Sequence, residues 1–188
     1  MQPQRVLALT LLAILACSAR VLGAREEDPR AIPLVDQHGV RFKLNDLRGS
    51  PVLVTFVATR CSDACPIATA MYSRLNERLR HARVTATLVE VTLDPLYDTP
   101  FVMQQYANTY SAGSGSWRLA SGSPADVRAL MRAFGVSAVK GPDGVPDVHS
   151  SFVYFLDARG KRSRTLLLST NLVDDALRAL RPAVASRR

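Results

Sequence analysis

The stretch VLVTFVATRCSDACP, residues 52–66, is the part of the sequence from which the fold follows. It begins with Val52 to Val57, an almost continuously apolar run rich in β-branched residues, which predicts a strand buried on both faces. Cys61 and Cys65 follow, with three residues between them. From about Cys65 to Leu79 apolar residues recur with helical spacing. The stretch therefore predicts a strand that turns directly into a helix, with both cysteines at the junction.

Strand and helix patterns alternate along the rest of the chain. A strand is predicted at Thr85 to Leu93, followed by helices at Phe101 to Tyr110 and Ser123 to Gly135. Two further strands, Phe152 to Leu156 and Thr165 to Leu168, are joined by DARG, and a last helix covers roughly Leu172 to Leu180. A parallel β-α-β unit followed by an antiparallel β-β-α unit is the thioredoxin-like arrangement. The predicted fold is thus α/β and thioredoxin-like, with a central mixed sheet flanked by helices.

Residues 1–24 predict an export segment, either a signal peptide or a short membrane anchor. Val6 to Cys17 is almost entirely apolar and follows the basic MQPQR, but it is shorter than the roughly 20 residues that span a bilayer core. Lipidation at Cys17, cleavage after Ser18 or Ala24, and retention as an anchor all stay open. We expect an exported protein of the bacterial periplasm, and the question of a tether to the inner membrane stays open.

The predicted organisation has one folded domain. Residues 25–33 are polar with two prolines and predict a linker, 34–182 predict the thioredoxin-like domain, and 183–188 predict a disordered tail. The formal net charge is +8 with a sequence pI near 10.0. Because the arginines are scattered and form no basic stripe with interleaved aromatics, the charge indicates a solvated surface rather than a nucleic-acid partner.

The spacing of Cys61 and Cys65 indicates chemistry rather than structural stabilisation. An exported compartment is oxidising, but a disulfide that closes so short a loop constrains the unfolded chain little. A thioredoxin-type redox pair has two intervening residues, whereas this pair has three. We expect the helix N-terminus and Arg60 to favour the thiolates, with Asp63 acting in the opposite sense. Two thiolates suit Cu(I), which also accepts imidazole. A disulfide, a catalytic dithiol and a metal site remain open at this point.

Three histidines are available as a further ligand: His38, His81 and His149. His149 lies in PDVHSSFVYFL, between a Gly/Pro-rich loop and an apolar strand. A residue there can face the N-terminal end of the first helix in a thioredoxin-like fold. The alternative is an imidazole that only hydrogen-bonds to the backbone.

Several motifs together resemble the Sco/SenC family of copper chaperones. FVATRCSDACP, TLDPLYDTP and HSSFVYFLDARG are similar to family segments, and the resemblance runs from about Ile32 to Leu180. The family often has aspartate directly before the histidine, whereas this chain has Val148 there and Asp147 one residue earlier.

The resemblance implies that Cys61, Cys65 and His149 bind one copper ion. It implies delivery of that ion to the dinuclear copper centre of cytochrome c oxidase subunit II, from a donor protein that the sequence does not name. Two alternatives stay open: a thiol-disulfide reductase with Cys61 and Cys65 as its redox pair, and a copper or redox sensor. Asp98 and Thr99 precede Pro100 and can cap the next helix. The alternative is that the loop containing Asp94 and Asp98 approaches the copper site or docks a partner.

Overall fold

Nine strands and four helices account for most of the described residues, which are 28–62, 64–112, 116–148 and 152–185 of this computed structural model. The strands are β1 (Leu34–Asp36), β2 (Arg41–Phe42), β3 (Val52–Val57), β4 (Thr87–Thr92), β5 (Trp117–Ser121), β6 (Ala138–Lys140), β7 (Pro146–Val148), β8 (Phe152–Leu156) and β9 (Arg162–Leu167). The helices are α1 (Ala64–Ala82), α2 (Pro100–Thr109), α3 (Pro124–Phe134) and α4 (Leu172–Ala185), with 3-10 turns at Pro29–Ala31 and Leu44–Leu47.

Seven strands form one mixed sheet in the order β2-β1-β5-β4-β3-β8-β9. Its centre is parallel, because β4 pairs in parallel with both β3 and β5. On the other side β3 pairs antiparallel with β8, which pairs antiparallel with β9. The β3-α1-β4 and β8-β9-α4 units are the two halves expected from the sequence, so the prediction of a thioredoxin-like fold is confirmed.

Strand β3 lies between two apolar cores, and all six of its residues are buried. Leu53 packs in a cluster with residues of α1, α2 and α4, whereas Val54 and Phe56 pack in a cluster that includes Leu130 and Phe134 of α3. Helices on both faces of the sheet explain why the run is apolar without alternation. They also fix the carboxyl end of β3, where the cysteine turn begins.

Several elements differ from the sequence-based prediction. Strand β9 begins at Arg162 rather than Thr165, and its first residues are exposed at the sheet edge, where no apolar alternation marks them. Strands β1, β2, β6 and β7 are two or three residues long, too short to show a period. Within the predicted linker, Ile32 is buried and the Arg30 side chain donates to the carbonyl of Gly160 at 3.0 Å.

Candidate metal centre

Cys61 lies in the turn that joins β3 to α1. Its backbone N–H donates to the carbonyl of Ala58 at 3.1 Å, which closes the turn directly after the buried strand. The residue is partly exposed, so its thiol is accessible from the surface. It therefore stands where a ligand or a reaction partner from solution can reach it.

Cys65 is the second residue of α1 and is 2% exposed. Its Sγ accepts a hydrogen bond of 3.3 Å from the backbone N–H of Ala58, and its side chain is hydrogen-bonded to that of Cys61. No disulfide joins the two sulfurs. The fold thus brings one accessible and one buried sulfur together at the N-terminus of a helix.

The charge of Arg60 does not lower the pKa of Cys65 as expected. Burial raises the pKa of the Cys65 thiol to about 12, and the contact with Cys61 and the charge of Glu90 add to this rise. Arg60 instead donates to the Asp94 carboxylate at 2.6 Å and lies over the ring of Tyr97, 4.3 Å from its centroid. The expectation of a lowered pKa is therefore wrong for Cys65.

The loop after β4 is bonded to the cysteine turn. Asp98 is fully buried and accepts hydrogen bonds of 2.5 Å from the hydroxyls of Thr59 and Thr92. The expected helix cap is Thr99, whose Oγ1 accepts from the N–H of Val102, and not Asp98. Because Thr59 lies two residues before Cys61, Asp98 holds the loop against the turn.

Glu90 is a buried acid that the sequence analysis did not single out. Its Oε2 accepts from the indole N–H of Trp117 at 3.1 Å, and its Oε1 lies 3.1 Å from the hydroxyl of Thr69. The Thr69 hydroxyl is also 3.1 Å from the carbonyl oxygen of Cys65 and 3.0 Å from the hydroxyl of Tyr106. Burial raises the pKa of Glu90 to about 8, so the acid is mostly protonated at neutral pH. The signal available in the sequence is one charged residue inside the apolar strand TLVEVT.

His149 lies outside the described residues, and its assignment as a ligand stays a prediction. A cavity of about 210 Å³ beside Cys61 is lined by Gly141, Val145 and Pro146 from the β6–β7 connection. His149 directly follows β7 in the sequence. Among the described residues, no three His, Cys, Asp or Glu side chains form a group that could hold a metal ion.

The other two histidines, His38 and His81, are both exposed side chains. His38 is exposed in the turn between β1 and β2, and His81 is exposed at the end of α1, 3.6 Å from Glu77. None of the described helices combines the length and the apolar character needed to cross a bilayer.

The fold and the site define a thioredoxin-like domain with a C-x3-C dithiol at the N-terminus of its first helix. The sequence profile of the SCO1/SenC family matches residues 29–184. The chain therefore belongs to the SCO1/SenC family. A SCO2-like protein of Rickettsia felis is 29% identical to it over 143 residues, which are 73% of this chain and 68% of that protein.

Solved structures with the same fold include three Sco proteins. A SCO1/SenC family lipoprotein from Bacillus anthracis has a TM-score of 0.75 at 22% identity, over 81% of this chain and 92% of that one. ScoI of Bradyrhizobium japonicum with copper bound has a TM-score of 0.68 at 23% identity, over 79% and 96%. BsSco, a Sco family cytochrome c oxidase assembly protein in which a disulfide switch was identified, has a TM-score of 0.70 at 25% identity, over 80% and 90%.

Proposed function

We propose that this protein is a copper chaperone that binds one copper ion as cargo through Cys61, Cys65 and His149. The observation that carries the proposal is the contact between the Cys61 and Cys65 side chains at the junction of β3 and α1, one accessible and one buried. Two thiolates and an imidazole are ligands that suit Cu(I). The cavity beside Cys61, formed in part by the connection that leads toward His149, supports the third ligand.

In this proposal the two sulfurs have different roles. Cys65 is held by the N–H of Ala58 and by the surrounding core, so it fixes the position of the cargo. Cys61 is accessible, so a ligand from an incoming protein can replace it while Cys65 still holds the ion. Transfer by ligand exchange needs such an open site with few ligands. Both thiols must lose their protons to bind copper, so retention falls as the pH falls.

The acceptor in this proposal is the dinuclear copper centre of cytochrome c oxidase subunit II. Membership of the SCO1/SenC family supports it, as does the description of BsSco as an oxidase assembly protein. The apolar segment Val6 to Cys17 and the lipoprotein relative support export to the bacterial periplasm, with a tether to the inner membrane. The copper donor is a separate protein that nothing in the chain identifies.

The proposal is tested by anaerobic Cu(I) titration of the fully reduced protein against a chromogenic chelator. We expect one copper per chain, with sulfur and nitrogen ligands in X-ray absorption spectra. Removing a residue that only hydrogen-bonds to a metal ligand typically weakens metal binding about 10- to 100-fold. Alanine at Cys61, Cys65 or His149 removes a ligand itself and should weaken Cu(I) binding at least as much. His38→Ala and His81→Ala are matched controls, because both imidazoles are exposed, His38 in the β1–β2 turn and His81 in the last turn of α1, at the opposite end of that helix from Cys65. Full affinity in His149→Ala would remove His149 from the site.

A thiol-disulfide reductase is the second candidate, because an accessible thiol in contact with a buried one is also the arrangement of a redox pair. Insulin reduction by the purified protein without copper separates the two functions. Turnover that survives in His149→Ala and is lost in Cys61→Ser would favour the reductase. A sensor role would instead require a signalling partner.

A further inference from the structure

We propose that a groove next to the cysteine site receives an extended acidic and apolar segment of the protein that takes the copper. The groove, called here the acceptor groove, has a volume of about 190 Å³ and lies between the loop after β4, helix α3 and strand β6. The lining residues that define it are Leu96, Val127, Arg128, Met131, Lys140 and Pro146. This inference rests on the proposed chaperone function and adds the chemistry of its partner.

The acceptor groove is adjacent to the cysteine site. Pro146 lines both the groove and the cavity beside Cys61. The ion pair between Arg60 and Asp94 joins the same two spaces, because Arg60 lines the cavity and Asp94 lines the groove. A chain segment seated in the groove would therefore hold its neighbouring residues at the accessible sulfur.

An apolar side chain stands exposed on a hydrogen-bonded loop at the groove. Leu96 is 75% exposed although the loop around it is tightly bonded. The backbone N–H groups of Tyr97 and Asp98 both donate to the carbonyl of Asp94, at 3.0 and 2.8 Å. Tyr97, the next residue of the same loop, is 46% exposed. Adjacent large apolar side chains exposed beside a concave surface are typical of a protein interaction site.

The charge of the acceptor groove specifies what can bind there. Arg128 and Lys140 are both exposed, and neither forms an ion pair within the described part of the chain. Asp94 is the acidic residue among the described lining residues, and Arg60 already neutralises it. The groove therefore presents two unneutralised positive charges around an apolar floor. Its complement is a segment with carboxylates flanking an apolar side chain.

The test measures Cu(I) transfer from the loaded full-length protein to the apo copper-binding domain of cytochrome c oxidase subunit II. The groove variant is Arg128→Glu with Lys140→Glu. The matched control is Arg74→Glu with Arg78→Glu on the exposed face of α1, which changes the net charge equally. We expect the groove variant to slow transfer at least about tenfold at low salt, and the control to stay within about twofold of wild type. Leu96→Ser should slow transfer without changing its dependence on salt.

Copper titration separates this inference from the proposed function. Unchanged Cu(I) affinity in all variants, with slow transfer only in the groove variants, supports the acceptor groove. Wild-type transfer rates in both Arg128→Glu/Lys140→Glu and Leu96→Ser overturn it while leaving the chaperone intact. A wild-type protein that binds no copper, or never loads subunit II, removes the chaperone function and the groove with it. The inference also fails if the groove variants lose only self-association or only binding to anionic vesicles, since the occupant is then a second copy or a lipid surface.

Discussion

Arg60 and Asp94 form an ion pair of 2.6 Å that joins the cysteine turn to the loop after β4. Arg118 and Asp36 form a second pair of the same kind at 3.1 Å, on β5 and β1, away from the cysteines. The two arginines are similarly exposed, at 35% and 34%, and both aspartates at 6%. Each arginine also lies over an aromatic ring, Arg60 over Tyr97 and Arg118 over Phe42. The second pair is therefore a built-in control for the first.

The matched pairs give the first prediction, which concerns Arg60→Ala and Arg118→Ala. Both substitutions leave a buried aspartate without its cation, so we expect both to lower the urea midpoint to a similar extent. Only Arg60→Ala should also increase the rate at which bound Cu(I) is lost to a chelator, because only that pair holds the turn that carries Cys61. Equal copper-release rates in the two variants would show that the Arg60–Asp94 pair serves stability alone.

The second prediction concerns Asp98, whose carboxylate accepts from Thr59 and Thr92. Asp98→Ala leaves these buried donors without an acceptor, which should lower the free energy of unfolding by about 1–3 kcal/mol. Asp98→Asn retains one acceptor oxygen, so its free energy of unfolding should fall by less than that of Asp98→Ala. Urea denaturation followed by the emission of Trp117, the single tryptophan, measures the change. The exposed Asp174 is the control, and Asp174→Ala should stay within about 0.5 kcal/mol of wild type. A similarly small effect at Asp98 would contradict the bonding role.

The contrast between β3 and Arg60 shows what the sequence can predict. A long apolar run is stable only when both faces are covered, so β3 and the helix after it follow from local pattern alone. Proximity along the chain also predicts that Cys61 and Cys65 meet. The direction of the Arg60 side chain depends on an acid 34 residues away, which no local pattern identifies. Burial, rather than the charge of Arg60, therefore sets the pKa of Cys65.

Glu90 shows a second limit, set by long-range packing. In a strand, the polarity of one residue does not tell which face it occupies once helices cover both faces of the sheet. The partners that make its burial tolerable, Thr69 and Trp117, are 21 and 27 residues away. Such a network becomes visible only when α1, β4 and β5 are assembled.

The third prediction concerns the unequal reactivity of the two site cysteines. Cys65 is 2% exposed and its pKa is about 12, so roughly one molecule in 10,000 carries the thiolate at pH 8. Cys61 is accessible, so iodoacetamide should modify it at least about tenfold faster in the reduced native protein. Peptide mass spectrometry assigns the modified residue and separates both from Cys17.

Unfolding supplies the control for this alkylation experiment. In concentrated guanidinium the burial of Cys65 is lost, so the two rates should become similar. If Cys65 reacts as fast in the native protein as in the unfolded one, the turn opens freely in solution. The asymmetric roles assigned to the two sulfurs would then be wrong.

The last prediction concerns Glu90, whose pKa in the folded protein is about 8 and whose ordinary value is 4.5. Between these values the folded state holds a proton that the unfolded chain releases, so stability falls as the pH rises, with a slope approaching about 1.4 kcal/mol per pH unit. Glu90→Gln mimics the protonated acid, because its amide can donate to Thr69 and accept from Trp117. We expect the free energy of unfolding of the variant to lose this slope between pH 5 and 8. Its stability should exceed that of wild type by the largest amount near pH 8. Urea denaturation at each pH measures the difference, and parallel wild-type and variant curves would mean that Glu90 is not the group that titrates.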